Sequence, residues 1–380
     1  MKKTIVSFVL IFMVITVIFS ENLYCVKRFD GTYCFIDYLG NEKIVGEYLS
    51  ARNFSEGFAY VETINSYLFI NENGDTVLTL LKRGDVEYGD ILSLGDFHDG
   101  YATIEFRNYI EEINGYAFIN NKGELKYSKL VKKESGYKPA NLVKDFSEGL
   151  AAIKIGDKWG FLDKLGNWLI SPVYSDVKDF HNGYAWIKYP NTNKWGLINN
   201  SGELIIKPQY HTVFDFSEGL ALVLEDGGFR KFIDPSNNVV IEFNESYTKQ
   251  FKVRDSDFML NFDELNSFYN GLAAVIYGNH YDAHLYYINK EGNIVINYRY
   301  IKGKGDATED VNGFTRFSEN RAFLYGRWSG YALIDTGNNI IMPFQKEIYP
   351  TTDFINGIAR CVKGKSIVYI NLEGKIIYTE

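Results

Sequence analysis

Short apolar runs alternate with polar turns along most of the chain. In the clearest unit the runs cover residues 150–155, 158–162 and 167–171, with a polar turn between each pair. Asp and Asn can bond their own backbone in such turns, and Gly accepts a positive φ. The third run ends at Pro172, which cannot donate to a strand ladder. The pattern therefore predicts an antiparallel meander of two or three short strands.

One block of this pattern recurs eight times, as Phe followed by Gly three residues later and Ala five residues later. The eight Phe–Ala pairs are Phe54 and Ala59, Phe97 and Ala102, Phe146 and Ala151, Phe180 and Ala185, Phe216 and Ala221, Phe268 and Ala273, Phe317 and Ala322, and Phe354 and Ala359. In the clearest copies the intervening glycines are Gly149, Gly183 and Gly219, and only Asn320 departs from Gly. A residue larger than Ala would meet a neighbouring unit, so the block predicts close contact between units.

A second block recurs nine times, as an aliphatic residue with Asp or Asn, followed three residues later by Gly or Asn. It runs from Ile36-Asp37 to Ile370-Asn371. The clearest copies are Trp159-Gly160 with Asp163 and Gly166, and Trp195-Gly196 with Asn199 and Gly202. The aromatic residue is expected to fill the space beside the repeated Ala. Nine copies predict about nine units in residues 21–380, and units of roughly 35 residues must stack to bury a core.

The stack could run as an open β-solenoid or close as a β-propeller. Propeller blades usually need four strands in about 40 to 50 residues. The spacings from Phe146 to Phe180 and from Phe180 to Phe216 are 34 and 36 residues, which leaves room for three strands. The spacing also varies along the chain, and an open stack tolerates such variation more easily than a ring. We therefore expect an all-β open solenoid, with a propeller as the alternative.

Two segments resemble the bacterial WG-repeat family: residues 157–163 read DKWGFLD, and residues 193–199 read NKWGLIN. The resemblance is specific in residues 146–223 and extends over roughly residues 23–378. Outside the specific part, Tyr replaces the Trp and other residues replace the Gly, at Tyr33-Cys34, Tyr67-Leu68, Tyr116-Ala117 and Tyr331-Ala332. The resemblance implies tandem β repeats, often exported, with no assigned enzymatic activity and no general ligand.

The N-terminus is typical of an export signal. Two lysines precede an apolar stretch over residues 5–19, and a polar segment follows. The stretch is slightly shorter than a usual membrane span. We expect a signal helix in residues 1–20, cleaved after Ser20. The alternatives are an uncleaved anchor and lipidation at Cys25, and only through such an anchor would the protein contact a membrane.

Composition narrows the function classes. A net charge of −8 and a pI near 5.4 argue against broad nucleic-acid binding, which needs Lys and Arg to release phosphate counterions. Three cysteines cannot form a disulfide framework or a multi-Cys zinc array. A turn at Asp30-Gly31 would place Lys27 opposite Cys34, so a bridge from Cys34 to Cys25 is marginal. Cys361 is expected at the repeat position of Cys25, as a simple strand residue.

Residue types suited to catalysis or metal binding do not form a coherent site. The turn glutamates Glu56, Glu148, Glu218 and Glu319 recur once per unit, whereas catalysis needs one asymmetric constellation. His280 and His284 lie in a turn between strand runs, and Asp306, Glu309 and Asp310 lack the spacing of an EF-hand loop. Serine-hydrolase, zinc-protease and nucleotide-binding motifs are absent from the sequence. We therefore expect no catalytic residue, no metal and no cofactor.

Binding residues are expected where units depart from the repeat. The insertions 75–95, 124–143, 242–266 and 299–315 lengthen particular units, and such insertions often build the binding face of a repeat protein. Trp186 and Trp328 are candidate binding residues, because an exposed aromatic ring can stack on a sugar or a protein side chain. For Trp186, packing in the core is an equally good interpretation.

Together these patterns favour a non-catalytic exported repeat protein, in the periplasm, on the cell surface or secreted. Its extended β surface would bind a protein or a cell-envelope glycan. The alternatives are a cell-envelope hydrolase with a site in the insertions, and a structural surface protein. The patterns do not predict an oligomeric state.

Overall fold

The computed structural model describes residues 23–83, 90–108, 113–126, 140–227, 229–243, 267–278, 283–300, 313–326 and 329–380. Within these ranges the regular elements are β-strands. The predicted signal segment, residues 1–20, lies outside them. Consecutive strands pair as neighbours, so every sheet is an antiparallel meander, as predicted.

The strands form nine sheets in chain order. Sheets 1 to 3 contain β1 (Tyr24–Lys27), β2 (Tyr33–Ile36) and β3 (Glu42–Tyr48); β4 (Ser50–Ala51), β5 (Phe58–Glu62), β6 (Ser66–Asn71) and β7 (Thr76–Leu81); and β8 (Asp90–His98), β9 (Tyr101–Asn108), β10 (Ile113–Asn120) and β11 (Leu125–Lys126). Sheets 4 to 6 contain β12 (Ala140–Ser147), β13 (Leu150–Ile155), β14 (Lys158–Asp163) and β15 (Trp168–Tyr174); β16 (Asp176–Val177), β17 (Tyr184–Lys188), β18 (Trp195–Asn199) and β19 (Leu204–Tyr210); and β20 (Thr212–Val213), β21 (Ala221–Leu224), β22 (Arg230–Ile233) and β23 (Val239–Glu242). Sheets 7 to 9 contain β24 (Ala273–Gly278), β25 (Ala283–Ile288) and β26 (Ile294–Tyr300); β27 (Gly313–Phe314), β28 (Arg321–Gly326), β29 (Gly330–Asp335) and β30 (Ile340–Gln345); and β31 (Ile348–Pro350), β32 (Ile358–Lys363), β33 (Ser366–Asn371) and β34 (Ile376–Thr379).

The sheets close into a ring. A cluster of buried side chains lies between each sheet and the next, and a ninth cluster lies between sheet 9 and sheet 1. In that ninth cluster Tyr24 and Cys34 contact Ile358 and Tyr369. The rings of Tyr24 and Tyr369 meet edge to face with their centroids 5.6 Å apart. Because the last sheet packs on the first, the molecule is a nine-bladed β-propeller, and the sheets are blades 1 to 9.

The expected open solenoid is wrong, and the alternative, a propeller, is correct. The expectation allowed only three strands in the 34 residues from Phe146 to Phe180. An additional strand is present at the start of these blades but is very short: β16 has two residues paired with β17, and β20 has two residues paired with β21. A strand of two residues carries no alternation that could be recognised in the sequence.

The fourth strand of each complete blade faces outward. Apolar side chains remain exposed on these strands, as at Leu204, Val240 and Ile340, which are 44%, 45% and 58% exposed. The two middle strands are buried on both faces, since each is covered by the blades on either side; β14 and β18 are examples. The first strand of each complete blade therefore lies on the side of the central axis.

The repeated Phe and Ala lie between blades, as the sequence predicts. Phe180 and Ala185 of blade 5 pack against Ala152 and Phe161 of blade 4. The rings of Phe161 and Phe180 are 4.9 Å apart. Ala151, Ala185 and Ala221 are at most 1% exposed, so a larger side chain would meet the preceding blade.

The Gly of the Trp-Gly pair is required by a bulge in the outer strand. The pairing of β14 with β15 shifts register between Trp159 and Phe161. A Cβ on Gly160 would touch the carbonyl oxygen of Ile170 and lie 2.7 Å from the nitrogen of Pro172. Gly196 makes the same approach to Ile206 and Pro208. Pro also suits the exposed edge, where it stops another chain from pairing.

The turn glutamates join neighbouring blades. Glu148 has a φ of 54°, and its carboxylate accepts hydrogen bonds from the amides of Asn182 (2.5 Å) and Gly183 (2.7 Å) in blade 5. The hydroxyl of Ser147 donates to the carbonyl of Phe180 (2.6 Å). We call this pair of contacts the Ser–Glu brace; it recurs at Ser55-Glu56, Ser217-Glu218 and Ser318-Glu319. These residues were expected to serve their own turn, and they also bind the turn of the next blade.

Candidate binding pocket at the edge of the first blade

A pocket of about 680 Å³ lies where blades 9, 1, 2 and 3 approach one another. Four consecutive blades can meet only on the side of the axis. Its lining comes from β1, β2, the segment after β4, the end of β8, two strands of blade 9, and the last residue of the sequence: Cys25, Lys27, Tyr33, Ala51, Arg52, Asn53, Phe54, Ser55, Asp96, His98, Arg360, Tyr369 and Glu380. It is therefore the candidate site for a ligand.

The floor of the pocket is one edge of β1. Arg28 bonds Thr32 across the hairpin, so alternation directs the main-chain groups of Cys25 and Lys27 away from β2 and toward the pocket. The amide of Cys25 donates to Asn53 Oδ1 (2.7 Å), and the amide of Lys27 donates to Glu380 Oε1 (3.2 Å). Two side chains thus hold the amides of a strand edge.

The same edge is covered by main chain in blade 2. There the amides of Arg52 and Leu49 donate to the carbonyls of Tyr60 (3.0 Å) and Glu62 (2.8 Å), and β4 pairs with β5. In blade 1, no strand within the described ranges pairs with this edge of β1. Blade 1 therefore presents, inside a pocket, an edge that its neighbour covers with a strand.

Arg52 and Asp96 are occupied in joining blades. Arg52 Nη1 lies 3.2 Å from Asp96 Oδ1, and the guanidinium stands 4.2 Å from the centroid of the Tyr60 ring. Burial raises the pKa of the Asp96 carboxyl, and Arg52 opposes this rise. The same kind of ion pair links later blades at Lys144–Asp179, Lys178–Asp215 and Arg316–Asp353. Because the same kind of ion pair recurs at other junctions, we assign the Arg52–Asp96 pair to packing between blades.

The other polar groups of the pocket also have defined partners. Glu380 Oε1 accepts a second hydrogen bond from the hydroxyl of Tyr369 (2.6 Å), and burial together with Glu380 raises the pKa of that hydroxyl. Arg360 donates to Thr351 Oγ1 (3.2 Å). Burial raises the pKa of Cys25 to about 12, so its thiol is protonated at neutral pH and is a poor nucleophile.

His98 and Asp96 both line the pocket. His98 takes the turn position that Ser55 and Ser147 hold in blades 2 and 4, and its Nε2 lies 4.0 Å from Asp145 of the next blade. In the described part of the chain no group of three His, Cys, Asp or Glu residues is placed to hold a metal ion.

The candidate binding residue Trp186 is not on the surface, which corrects that interpretation. Trp186 is 2% exposed, its indole N–H donates to the carbonyl of Phe214 (2.9 Å), and its ring stacks on Phe216. It faces away from the repeated Ala, but that face is covered by the next blade. Trp328 lies outside the described residues.

The other predictions about site residues have mixed outcomes. Cys34 lies opposite Val26, not Lys27, and Cys25 and Cys34 are free. This one-residue difference also places Cys361 at the repeat position of Val26, since Ala359 pairs with Ile370 as Tyr24 pairs with Ile36. His280, Asp306, Glu309 and Asp310 lie outside the described residues. His284 is a strand residue, and its Nδ1 lies 2.9 Å from Asn297 Oδ1.

None of the insertion residues that the structure describes lines the pocket. Residues 75–95 include β7 and the start of β8, and residues 124–143 include β11 and the start of β12. Most of residues 242–266 and 299–315 lie outside the described ranges. Sequence reasoning missed the pocket, although one signal was available. The second block has nine copies and the first block only eight, and the unmatched copy belongs to blade 1, where the open edge lies.

A comparison with protein families matches the family of the WG containing repeat over residues 33–66, 141–159, 159–191 and 195–229. The chain contains WG repeats in these four segments. The matches confirm the resemblance in the middle of the chain and also cover residues 33–66, where Tyr33-Cys34 departs from the motif. No curated protein matches this WG-repeat chain. Its described residues contain no helix that could span a bilayer.

Among solved structures, apo AztD from Citrobacter koseri is similar at 12% identity and a TM-score of 0.38, covering 85% of this chain and 93% of its own. The C-terminal WD40 domain of Sif2 has 10% identity and a TM-score of 0.34, covering 84% and 79%. BamB from Moraxella catarrhalis has 8% identity and a TM-score of 0.32, covering 88% and 90%. The assignment of the WG-repeat chain as a propeller depends on its own strand order and closing contacts.

Proposed function

We propose that this chain is an exported, non-catalytic scaffold that binds a partner protein by adding an extended segment of that partner to the open edge of β1. The observation that carries the proposal is this edge, set in a pocket and held by side chains. Strand addition uses main-chain hydrogen bonds for affinity and neighbouring pockets for specificity. An edge strand is the natural template for such pairing.

The pocket suits a polypeptide. Asn53 and Glu380 satisfy the amides of Cys25 and Lys27, and both can release them when an incoming strand supplies carbonyl groups in their place. Lys27 and Arg360 supply positive charge and Glu380 supplies negative charge along the walls. Backbone and charge of both signs suit a mixed-sequence peptide better than a uniformly charged ligand.

A protein partner is favoured over a cell-envelope glycan. Tryptophan rings that stack on sugars must be exposed, whereas three of the four described tryptophans, Trp159, Trp186 and Trp195, are at most 9% exposed. These rings pack between blades, and Lys144 and Lys188 lie over two of them. Export is proposed from the apolar N-terminal stretch and its flanking residues.

The test compares Lys27→Pro with Lys27→Ala. The amide of Lys27 points toward the pocket and not toward β2, so Pro removes a hydrogen bond of the open edge and leaves the pairing with β2 in place. Lys27→Ala removes only the side chain and is the matched control. A photoreactive amino acid at Tyr33 in the full chain, in its native cells, reports contact within the pocket.

We expect a protein to be crosslinked at Tyr33 in the parent chain and in Lys27→Ala, and to be lost in Lys27→Pro. The same probe at Val240, on the outer strand of blade 6, should capture no such protein. Thermal unfolding checks that both variants fold. Equal crosslinking by Lys27→Pro and Lys27→Ala would overturn strand addition, as would equal capture at Val240.

A further inference from the structure

We propose that the partner segment at the β1 edge carries an acidic residue two positions after an apolar residue, and that Arg360 of blade 9 selects this acidic residue. The inference rests on the proposed function, because it names the chemical class of the segment at the same edge. In the complete blades the first strand covers the edge that blade 1 leaves open. Those first strands therefore show which side chains fit there.

The residues before the repeated Phe follow one pattern in four blades: an apolar residue, any residue, and Asp. The copies are Leu94-Gly95-Asp96, Val143-Lys144-Asp145, Val177-Lys178-Asp179 and Val213-Phe214-Asp215. The apolar residue is at most 8% exposed in each copy. In three copies the Asp forms an ion pair with a cation of the preceding blade: Asp96 with Arg52, Asp179 with Lys144, and Asp215 with Lys178. The Asp of the pattern thus binds its strand to the blade before it.

The junction of blades 3 and 4 makes this contact from a different position. Blade 3 has Gly95 where the neighbouring blades have a cation. There the hydroxyl of Thr103 donates to Asp145 Oδ1 (2.5 Å), and His98 Nε2 lies 4.0 Å from the same carboxylate. Thr103 directly follows the repeated Ala on the second strand of blade 3. A side chain at that position can therefore reach the Asp of the next blade.

Arg360 holds the position of Thr103 in blade 9. The repeated Ala of the two blades are Ala102 and Ala359, and Thr103 and Arg360 follow them in equivalent register. Arg360 pairs with Tyr369, which packs in the cluster between blades 9 and 1. Arg360 also lines the pocket. It thus stands where the repeat places the acidic residue of an added strand.

Arg360 supplies the cation that the first strand of blade 9 lacks. Where other blades have Arg or Lys two residues before the Phe, blade 9 has Thr352. In blade 2 the guanidinium of Arg52 lies 4.2 Å from the ring of Tyr60, and Tyr60 has the position of Arg360. Arg360 Nη1 donates to the Thr351 hydroxyl (3.2 Å), and no carboxylate of the described residues forms an ion pair with it. A carboxylate of the partner would complete the contact.

The partner segment needs no Phe after its acidic residue. At a regular junction the repeated Phe packs on the third strand of the preceding blade, as Phe180 packs on Phe161. In blade 9 the position of Phe161 is held by Tyr369. Tyr24 already covers this ring, with the two centroids 5.6 Å apart. The apolar and the acidic residue are the parts of the pattern that the edge leaves for a partner.

The test measures the binding of two synthetic peptides with blocked ends to the full chain. The first has the sequence of residues 209–215, which contains one acidic residue, Asp215, and the second carries Asp215→Asn. The parent chain should bind the first about tenfold more tightly, as expected for one charge-assisted hydrogen bond. Arg360→Gln should abolish this preference by weakening the first peptide alone. Lys365→Gln removes an exposed cation of blade 9 outside the pocket and should keep the preference.

Equal binding of the two peptides by the parent chain would overturn the recognition of an acidic residue, as would failure of both to bind or an unchanged preference in Arg360→Gln. The comparison of the peptides on the parent chain does not depend on the folding of any variant. Strand addition is decided separately. Peptides that bind equally and are lost in Lys27→Pro but not in Lys27→Ala would uphold the open edge without a role for Arg360. A preference that survives in Lys27→Pro would uphold Arg360 and refute strand addition.

Discussion

The junction of blades 4 and 5 and the closure of blades 9, 1 and 2 both hold neighbouring blades together, but they use different residues. At the regular junction a Ser–Glu brace, a Phe pair and a small Ala recur, with Ala185 in the slot between blades. At the closure the Ala slot holds Tyr24, which pairs with Ile36 as Ala185 pairs with Ile198. There Tyr378 also donates to Glu42 (3.0 Å), and Gly40 lies against the carbonyl of Ile377.

The difference shows what a repeat can and cannot supply. A junction between two copies can use the same contacts each time, because each copy meets a neighbour built on the same pattern. The closing junction joins the two ends of the array. There Val368 lies where blade 4 has Gly160, and the outer strand β34 keeps regular register with it, as β7 does with Leu68 in blade 2. Tyrosines pack at this junction, and the hydroxyls of Tyr369 and Tyr378 donate to Glu380 and Glu42.

Tyr24→Ala should cause the largest loss of stability. Tyr24 is 4% exposed and packs on Tyr369, so its removal leaves a cavity between blades 9 and 1. Truncating a buried aromatic residue costs about 3–5 kcal/mol. Urea unfolding of the full chain measures this as a lower midpoint.

Tyr38→Ala is the control for that loss, because Tyr38 belongs to the same blade and is 61% exposed. Its effect should stay within about 0.5 kcal/mol. Equal effects of the two substitutions would mean that Tyr24 does not hold the ring closed.

Gly160→Ala, in blade 4 of the regular region, should have the next largest effect on stability. The added methyl group would meet the main chain of Ile170 and Pro172, which cannot rotate away as a side chain can. Overpacking of this kind costs about 1–3 kcal/mol. In blade 3 the same position is Ala117, and Ala117→Gly should cost only about 0.5–1 kcal/mol. A neutral Gly160→Ala would mean that β15 shifts freely.

Much of the fold could be predicted from residues that recur. The turns at Asp163 and Gly166, the close contact at Ala185 and the count of nine units follow from spacing alone. Closure into a ring could not be predicted from spacing, because its evidence lies in strands of two residues such as β16 and in contacts between Tyr24 and Tyr369, which are 345 positions apart.

The candidate site was harder to predict than the fold. Trp186 was offered as a binding residue because it faces away from Ala185, but in a propeller both faces of a middle strand are covered by other blades. The edge of β1 is made of main-chain groups, which have no side-chain signature. Only the unequal numbers of the two blocks pointed to blade 1.

The smallest predicted effect is on stability at acid pH. It is tested by exchanging Asp and Asn between the equivalent turns of blades 1 and 5. In blade 1 Asp37 accepts hydrogen bonds from Leu39 (2.9 Å) and Asn41 (2.9 Å); burial opposes its charge, but these bonds and Lys43 hold its pKa below the ordinary value. A lowered folded pKa stabilises the protein above the unfolded pKa of about 4, and this stability is lost as the pH falls through the folded value. Blade 5 makes the same turn with neutral Asn199. Asp37→Asn should therefore flatten the fall in urea midpoint below pH 4, and Asn199→Asp should steepen it. Parallel curves for both variants and the parent would show that the turn contributes nothing to acid sensitivity.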